Sequence, residues 1–108
     1  MKNLIEKNRQ AWNEATEYHQ KARQGSLQQK FADPNFNTYD NSDKPVVKVL
    51  SEIDLKGKTV GHVCCNNGRE LISLVRFGKA AEGVGFDISD VAIAEATLFC
   101  LTGHACVL

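Results

Sequence analysis

The sequence predicts an α/β fold: about three parallel strands of a doubly wound sheet, preceded by N-terminal helices. Three observations carry this. The stretch Lys58–Ser89, KTVGHVCCNNGRELISLVRFGKAAEGVGFDIS, reads in order as strand, tight loop, helix, strand and acid. A further helical run and a last apolar run, Ala105 to Leu108, follow it as the next helix and strand. Ahead of it, the first 25 residues show helical spacing and no strand pattern.

Each element has its own justification. Leu4, Ile5, Ala11, Trp12, Ala15, Tyr18, His19 and Ala22 fall on one side at helical spacing, so an amphipathic first helix is expected, stopping at Gly25. Ser26 to Asp43 is polar, with Pro34 and several Asn and Asp residues, and is expected to be a loop. A short helix over Lys44 to Ile53 follows an Asp43 cap and an early proline, Pro45.

Thr59 to Val63 is a short β-branched run opening into the turn Cys64-Cys65-Asn66-Asn67-Gly68, as a central strand would. Arg69 to Phe77 has a helical period, with Leu71, Ile72, Leu74 and Val75 able to face a sheet and Gly78 at the position of a C-cap glycine. The strand Gly83 to Phe86 ends at Asp87. Ser89 is expected to N-cap a helix running through Asp90, Val91, Ile93, Ala94, Ala96 and Leu98.

Asp87 stands about 20 residues beyond the turn, the separation at which a strand-tip carboxylate accepts both hydroxyls of a ribose. The loop lacks the G-x-G-x-x-G of a dinucleotide site, because Cys64, Asn66 and Arg69 occupy those three places. The tighter spacing 64, 66 and 68 fits better: Gly68 keeps the helix start open and Asn66 tolerates a left-handed backbone. A helix starting at Gly68 presents N–H groups and a partial positive charge suited to a carboxylate.

VGHVCCNNG followed by VGFDIS resembles the paired motifs of the class I S-adenosylmethionine-dependent methyltransferases, a hydrophobic strand into G-x-G-x-G and a second strand ending in an acid. His62 stands where that family usually has an acid, and Cys64 and Asn66 replace the first two glycines. The resemblance covers roughly residues 55 to 108 and implies the first half of a Rossmann-like cofactor domain, with residues 1–54 as a helical leader. It implies S-adenosylmethionine as cofactor. Cys64, Cys65, Asn66 and Gly68 would line its methionine part, Asp87 would bind the ribose and Ile88 would pack on the adenine. It names no catalytic residue and no metal, since methyl transfer rests on holding the sulfonium in line with its acceptor. WNEATEYH also looks like the leader helix of this group, where it folds over the cofactor as a lid and brings Trp12, Tyr18 or His19 near the substrate. Packing of Trp12 in the core is the alternative.

Other uses of the same residues stay open. The βαβ unit can bind nothing, Asp87 can cap a helix, and His62 can be a satisfied core histidine. Cys64, Cys65, Cys100 and Cys106 with His62 and His104 contain no C-x-x-C pair, which favours buried reduced thiols over a zinc site and a reducing cytoplasm as the location. The charged opening and the lack of a long apolar run argue against a signal peptide or membrane span. Thirteen basic and thirteen acidic residues balance, and no basic patch interleaved with aromatics points to nucleic acid.

At 108 residues the chain holds fewer strands than a complete doubly wound sheet, and Thr59–Val63 would form an exposed edge. The expectation is therefore the N-terminal half of a methyltransferase, inactive alone, with its acceptor unspecified. A non-enzymatic module that completes its sheet in a homodimer or with a partner is the second reading, and a fragment of a dinucleotide-dependent oxidoreductase the third.

Overall fold

The computed structural model describes residues 1–40, 42–100 and 106–107. The elements are α1 (Lys2–Arg23), α2 (Ser26–Phe31), α3 (Pro45–Ser51), β1 (Thr59–Val63), α4 (Arg69–Gly78), β2 (Glu82–Phe86), α5 (Asp90–Cys100) and β3 (Cys106–Val107). β1 and β2 run parallel in register from Thr59↔Glu82 to Val63↔Phe86. The two-residue β3 joins the other side of β2 at Gly83↔Cys106 and Val84↔Val107. A mixed α/β architecture with a parallel sheet behind N-terminal helices is thus what the chain adopts.

The β1–α4–β2 crossover forms because α4 can lie close on the sheet. A Cβ on Gly83 would come within 2.7 Å of Val75 and 3.2 Å of Leu71. Leu71, Ile72 and Val75 are buried as expected, while Leu74 is only half-buried. Gly78 is not the C-cap. The helix runs through it and ends at Lys79, which takes the left-handed conformation with φ 54°. Gly78 is needed elsewhere, since any Cβ there would meet Leu55 at 2.7 Å. The left-handed turn moves one residue on, to a lysine, at a cost of about 1–2 kcal/mol.

The largest correction is Ser26 to Asp43, expected as loop. Its first part is α2, and Phe31 at the end of that helix is 0% exposed. The Phe31 ring stacks on Phe99 of α5 at 5.1 Å and meets Phe36 edge-on at 5.1 Å. Burial against α5 outweighs the polar composition of the segment. The following turns are fixed by side chains: Asn37 Oδ1 accepts from the backbone N–H groups of Tyr39 and Asp40, and Ser73 Oγ of α4 accepts from the Thr38 N–H. Arg76 on α4 donates to the carbonyls of Phe31, Asp33 and Phe36, which ties this segment down, and its guanidinium lies 5.3 Å from the Phe31 ring centre. Burial pulls the Arg76 pKa below the ordinary arginine value.

α1 is as long as expected but turned the other way. Leu4, Ile5, Trp12 and Tyr18 are exposed, and the buried residue of the helix is Thr16. The face that meets the rest of the protein is polar, because what it meets is the polar start of α5 and its Glu95. Arg9 pairs with Asp90 at 2.8 Å, Asn13 Oδ1 accepts from Ser89 Oγ at 2.6 Å, and Arg23 pairs with Glu95 at 2.6 Å. Trp12 therefore does not pack into the core.

α3 is shorter than expected at both ends and starts behind Lys44, with no side-chain cap from Asp43. Ser89 does cap α5, its Oγ accepting from the Ala92 N–H at 3.1 Å. Among the described residues β1 is an outer strand with β2 on one side alone. At the ends of the two strands the paired Val63 and Phe86 are exposed side by side, at 74% and 56%.

Candidate functional site

A cleft of about 370 Å³ lies at the ends of β1 and β2, between the turn after β1 and α1, lined by Asn8, Trp12, Thr16, Cys64, Asn66, Asp87 and Ile88. The carboxyl ends of parallel strands are where open α/β sheets bind ligands, and the volume is within the range of small-molecule sites.

The turn has an unusual backbone. Cys64 (φ 59°), Asn66 (φ 54°) and Gly68 (φ 77°) all take positive φ. These are the three positions of the tighter glycine spacing, and a cysteine and an asparagine adopt there the conformation glycine adopts freely. Asn does so at small cost, Cys at about 1–2 kcal/mol. Strain of this kind is retained where the surroundings over-determine it. Here they do: the Cys65 N–H donates to the Phe86 carbonyl at 2.9 Å, the Gly68 N–H to Cys65 at 2.9 Å, and the Asn66 N–H to Asp87 Oδ2 at 2.7 Å.

Asp87 is the hinge of the arrangement. Its Oδ2 takes the Asn66 N–H and its Oδ1 the Ser89 N–H at 2.9 Å. A carboxylate offers about four lone-pair positions, so the partly exposed group keeps capacity for two further donors. The turn and the acid open into one cleft, without facing apart.

Four of the six residues expected at a cofactor line this cleft: Cys64, Asn66, Asp87 and Ile88. Cys65 and Gly68 do not. Cys65 is 0% exposed, its Sγ directed at the Asn66 carbonyl at 3.6 Å. Burial first, then the charge of Asp87, pushes its thiol pKa up, which keeps it protonated and unreactive. Gly68 is buried as the N-cap of α4, and a Cβ on it would stand 3.0 Å from Ala96, so its lack of a side chain serves the α4–α5 approach. The start of α4 is also capped from within, since Asn67 Oδ1 accepts from the Arg69 N–H at 3.2 Å.

His62 lies away from the cleft, in a separate groove with Tyr39, Val60 and Glu70. Burial raises the Tyr39 pKa there, with Glu70 adding to the shift. Of the three expected lid residues, Trp12 lines the cleft and His19 lines a side cavity beside Trp12 and Asn66. Tyr18 lines neither, but its ring meets His19 edge-on at 5.6 Å. Asn8 and Thr16 were missed. They stand four residues on either side of Trp12, spaced i, i+4, i+8, but neither is apolar, so the helical period that picks out Trp12 passes over them.

Cys64 and Cys65 are free thiols, whereas Cys100 is disulfide-bonded, which corrects the expectation of a reduced thiol there. Among the described residues no group of three His, Cys, Asp or Glu side chains is placed to hold a metal, and no helix is long and apolar enough to cross a membrane. His104 lies outside the described residues.

Comparison with known proteins found no match: no family model, no curated protein and no solved structure.

Proposed function

We propose that the chain binds S-adenosylmethionine in this cleft, as the first half of a Rossmann-like methyltransferase domain acting on an acceptor its residues do not specify. The observation that carries the reading is the turn with positive φ at 64, 66 and 68, hydrogen-bonded through the Asn66 N–H to Asp87 in a shared cleft. In this reading the main chain and side chains of residues 64 to 66 hold the amino-acid end of the cofactor. The spare lone pairs of Asp87 accept the ribose hydroxyls, and Ile88 packs on the adenine. The bound cofactor supplies an activated methyl group, and the protein's share is to fix its direction.

Electrostatics supports this over the dinucleotide alternative. Among the described residues the cleft is lined by a carboxylate and by no lysine or arginine, which suits a sulfonium cation and opposes a pyrophosphate. Calorimetric titration with S-adenosylmethionine and with NAD tests it: heat with the first and none with the second is expected, and Asp87→Ala should weaken binding by about tenfold or more. Binding of NAD alone would reverse the assignment.

The side of β1 left without a strand among the described residues and the exposed Val63–Phe86 pair support a second reading, an α/β module that completes its sheet with another chain. Mass that rises with concentration in light scattering, without response to S-adenosylmethionine, would favour it.

A further inference from the structure

Leu4, Ile5, Trp12 and Tyr18 of α1 stand between 47% and 70% exposed. A contiguous apolar surface of this kind on a folded domain marks a place where something docks. Its pattern is regular. Leu4, Asn8, Ala11, Ala15, Tyr18 and Ala22 follow one another at alternating steps of four and three residues, so they form one line along the helix that repeats every seven. Five of them are exposed and Ala15 is half-covered. The residues that seat α1 on the domain keep the same repeat one position on: Arg9 pairs with Asp90, Thr16 is buried and Arg23 pairs with Glu95. One position is about 100° round a helix. The heptad line is therefore a different face from the one already occupied, and it is the face on which a second helix packs in a coiled coil.

The charges beside the line select its occupant. Lys7, Glu14 and Lys21 run along one flank, Ile5, Trp12 and His19 along the other. Lys7 and Glu14 form no ion pair among the described residues. In a two-fold antiparallel pair of α1 helices every contact occurs twice. The register that sets Leu4 against the partner's Ala15 and Asn8 against the partner's Ala11 brings Lys7 beside the partner's Glu14 on one flank and Ile5 beside the partner's Trp12 on the other. Large residues then face small ones, and opposite charges meet. Moving one heptad along, with Leu4 against the partner's Ala22, sets Glu14 on the partner's Glu14 and Lys7 on the partner's Lys21, which repel. In a parallel pair Lys7 meets the partner's Trp12 and Glu14 the partner's His19, so no lysine meets a glutamate. Asn8, the one polar residue of the line, borders the cleft and is not sealed from water. We infer that α1 is a self-association surface, on which a second copy of this chain docks its own α1 antiparallel with Lys7 and Glu14 paired across the interface. This surface is separate from the outer side of β1, and the inference uses nothing of the cofactor reading.

Sedimentation equilibrium at low salt measures the dimer Kd of the unaltered chain, of Lys7→Glu, of Glu14→Lys and of the double reversal. Each single reversal turns two attractive pairs into two repulsive ones and should raise the Kd by about tenfold. The double reversal restores both pairs and should return the Kd to within about threefold of the original. Both side chains are exposed, so the circular dichroism of all four proteins should agree. Should a reversal lower the helical ellipticity, the double variant Lys7→Gln, Glu14→Gln decides in its place: its dimer should be about threefold weaker at low salt and lose its response to added salt. A dimer of equal strength in every protein would place the association on another surface, the outer side of β1 foremost, and overturn the inference. Weakening by the single reversals without recovery in the double would overturn the antiparallel register. A monomer at every concentration up to about 1 mM would overturn the association itself.

Discussion

α1 and α5 are both helices packed near the same cleft, but they are held by different forces. α5 is seated by apolar side chains, with Phe99 stacked on Phe31 beside Ile72 and Ala96 against the start of α4. α1 is seated by ion pairs and hydrogen bonds, through Arg9, Asn13 and Arg23, and buries one threonine. Apolar burial is cooperative and insensitive to salt, whereas polar pairs at a surface are weak and screened. The frame that carries Asp87 and the turn is therefore the stable part, and the helix that carries Trp12 is the part able to open at low cost.

The comparison can be broken most directly at Phe99. Phe99→Ala removes a ring that is 2% exposed and should destabilise the whole fold by about 3–5 kcal/mol, read as a lower urea midpoint at an unchanged slope. A loss below about 1 kcal/mol would mean that α5 is not held by its core contacts.

A smaller effect is expected where α1 meets α5. The Arg23–Glu95 pair is the better covered of the two inter-helix pairs, with side chains 29% and 13% exposed. In a double-mutant cycle with Arg23→Gln and Glu95→Gln its coupling should be about 1 kcal/mol. That loss should show as faster amide exchange in α1 with α4 and α5 unchanged. Equal acceleration throughout would make α1 part of the cooperative core and erase the distinction.

What the sequence made legible follows the same division. β1, α4, β2 and α5 are set by periods of apolar residues within each segment, so their bounds were readable to within a residue or two. α2 was not readable, because Phe31 is helical for the sake of partners far along the chain, Phe99 and Arg76. The orientation of α1 was misread for a related reason. A helical period shows that two faces differ, but the face that docks depends on the surface it meets, and here that surface is Asp90, Ser89 and Glu95. Within the site, Cys64, Asn66, Asp87 and Ile88 were legible because the turn and the strand tip are local features. Asn8 and Thr16 required knowing where α1 lies.

The core side of the comparison also has a pH signature. The Cys65 pKa is raised in the folded protein by burial and by Asp87. The unfolded chain therefore ionises first as pH climbs past the ordinary thiol value of 9.0, and stability falls between that value and the raised one. Below pH 9 the contribution is fully present. Cys65→Ala should flatten this alkaline decline when urea midpoints are compared between pH 8 and 10, and an identical decline in both proteins would assign it to other groups, Tyr39 among them.

The smallest effect sharpens the contrast most. Arg9–Asp90 is short at 2.8 Å, but the Asp90 side chain is 74% exposed, so solvent screens most of the attraction. Arg9→Gln should cost no more than about 0.5 kcal/mol, and that difference should vanish as salt is raised from 0.05 to about 1 M, where the screening length falls to about 3 Å. The variant's urea midpoint should then match that of the unaltered protein. The amide protection of the first half of α1 should fall with salt in the unaltered protein and lie near its high-salt level at every salt concentration in the variant. A salt-independent penalty would show that Arg9 acts through the packing of its aliphatic stem, and α1 would then share the apolar seating of α5.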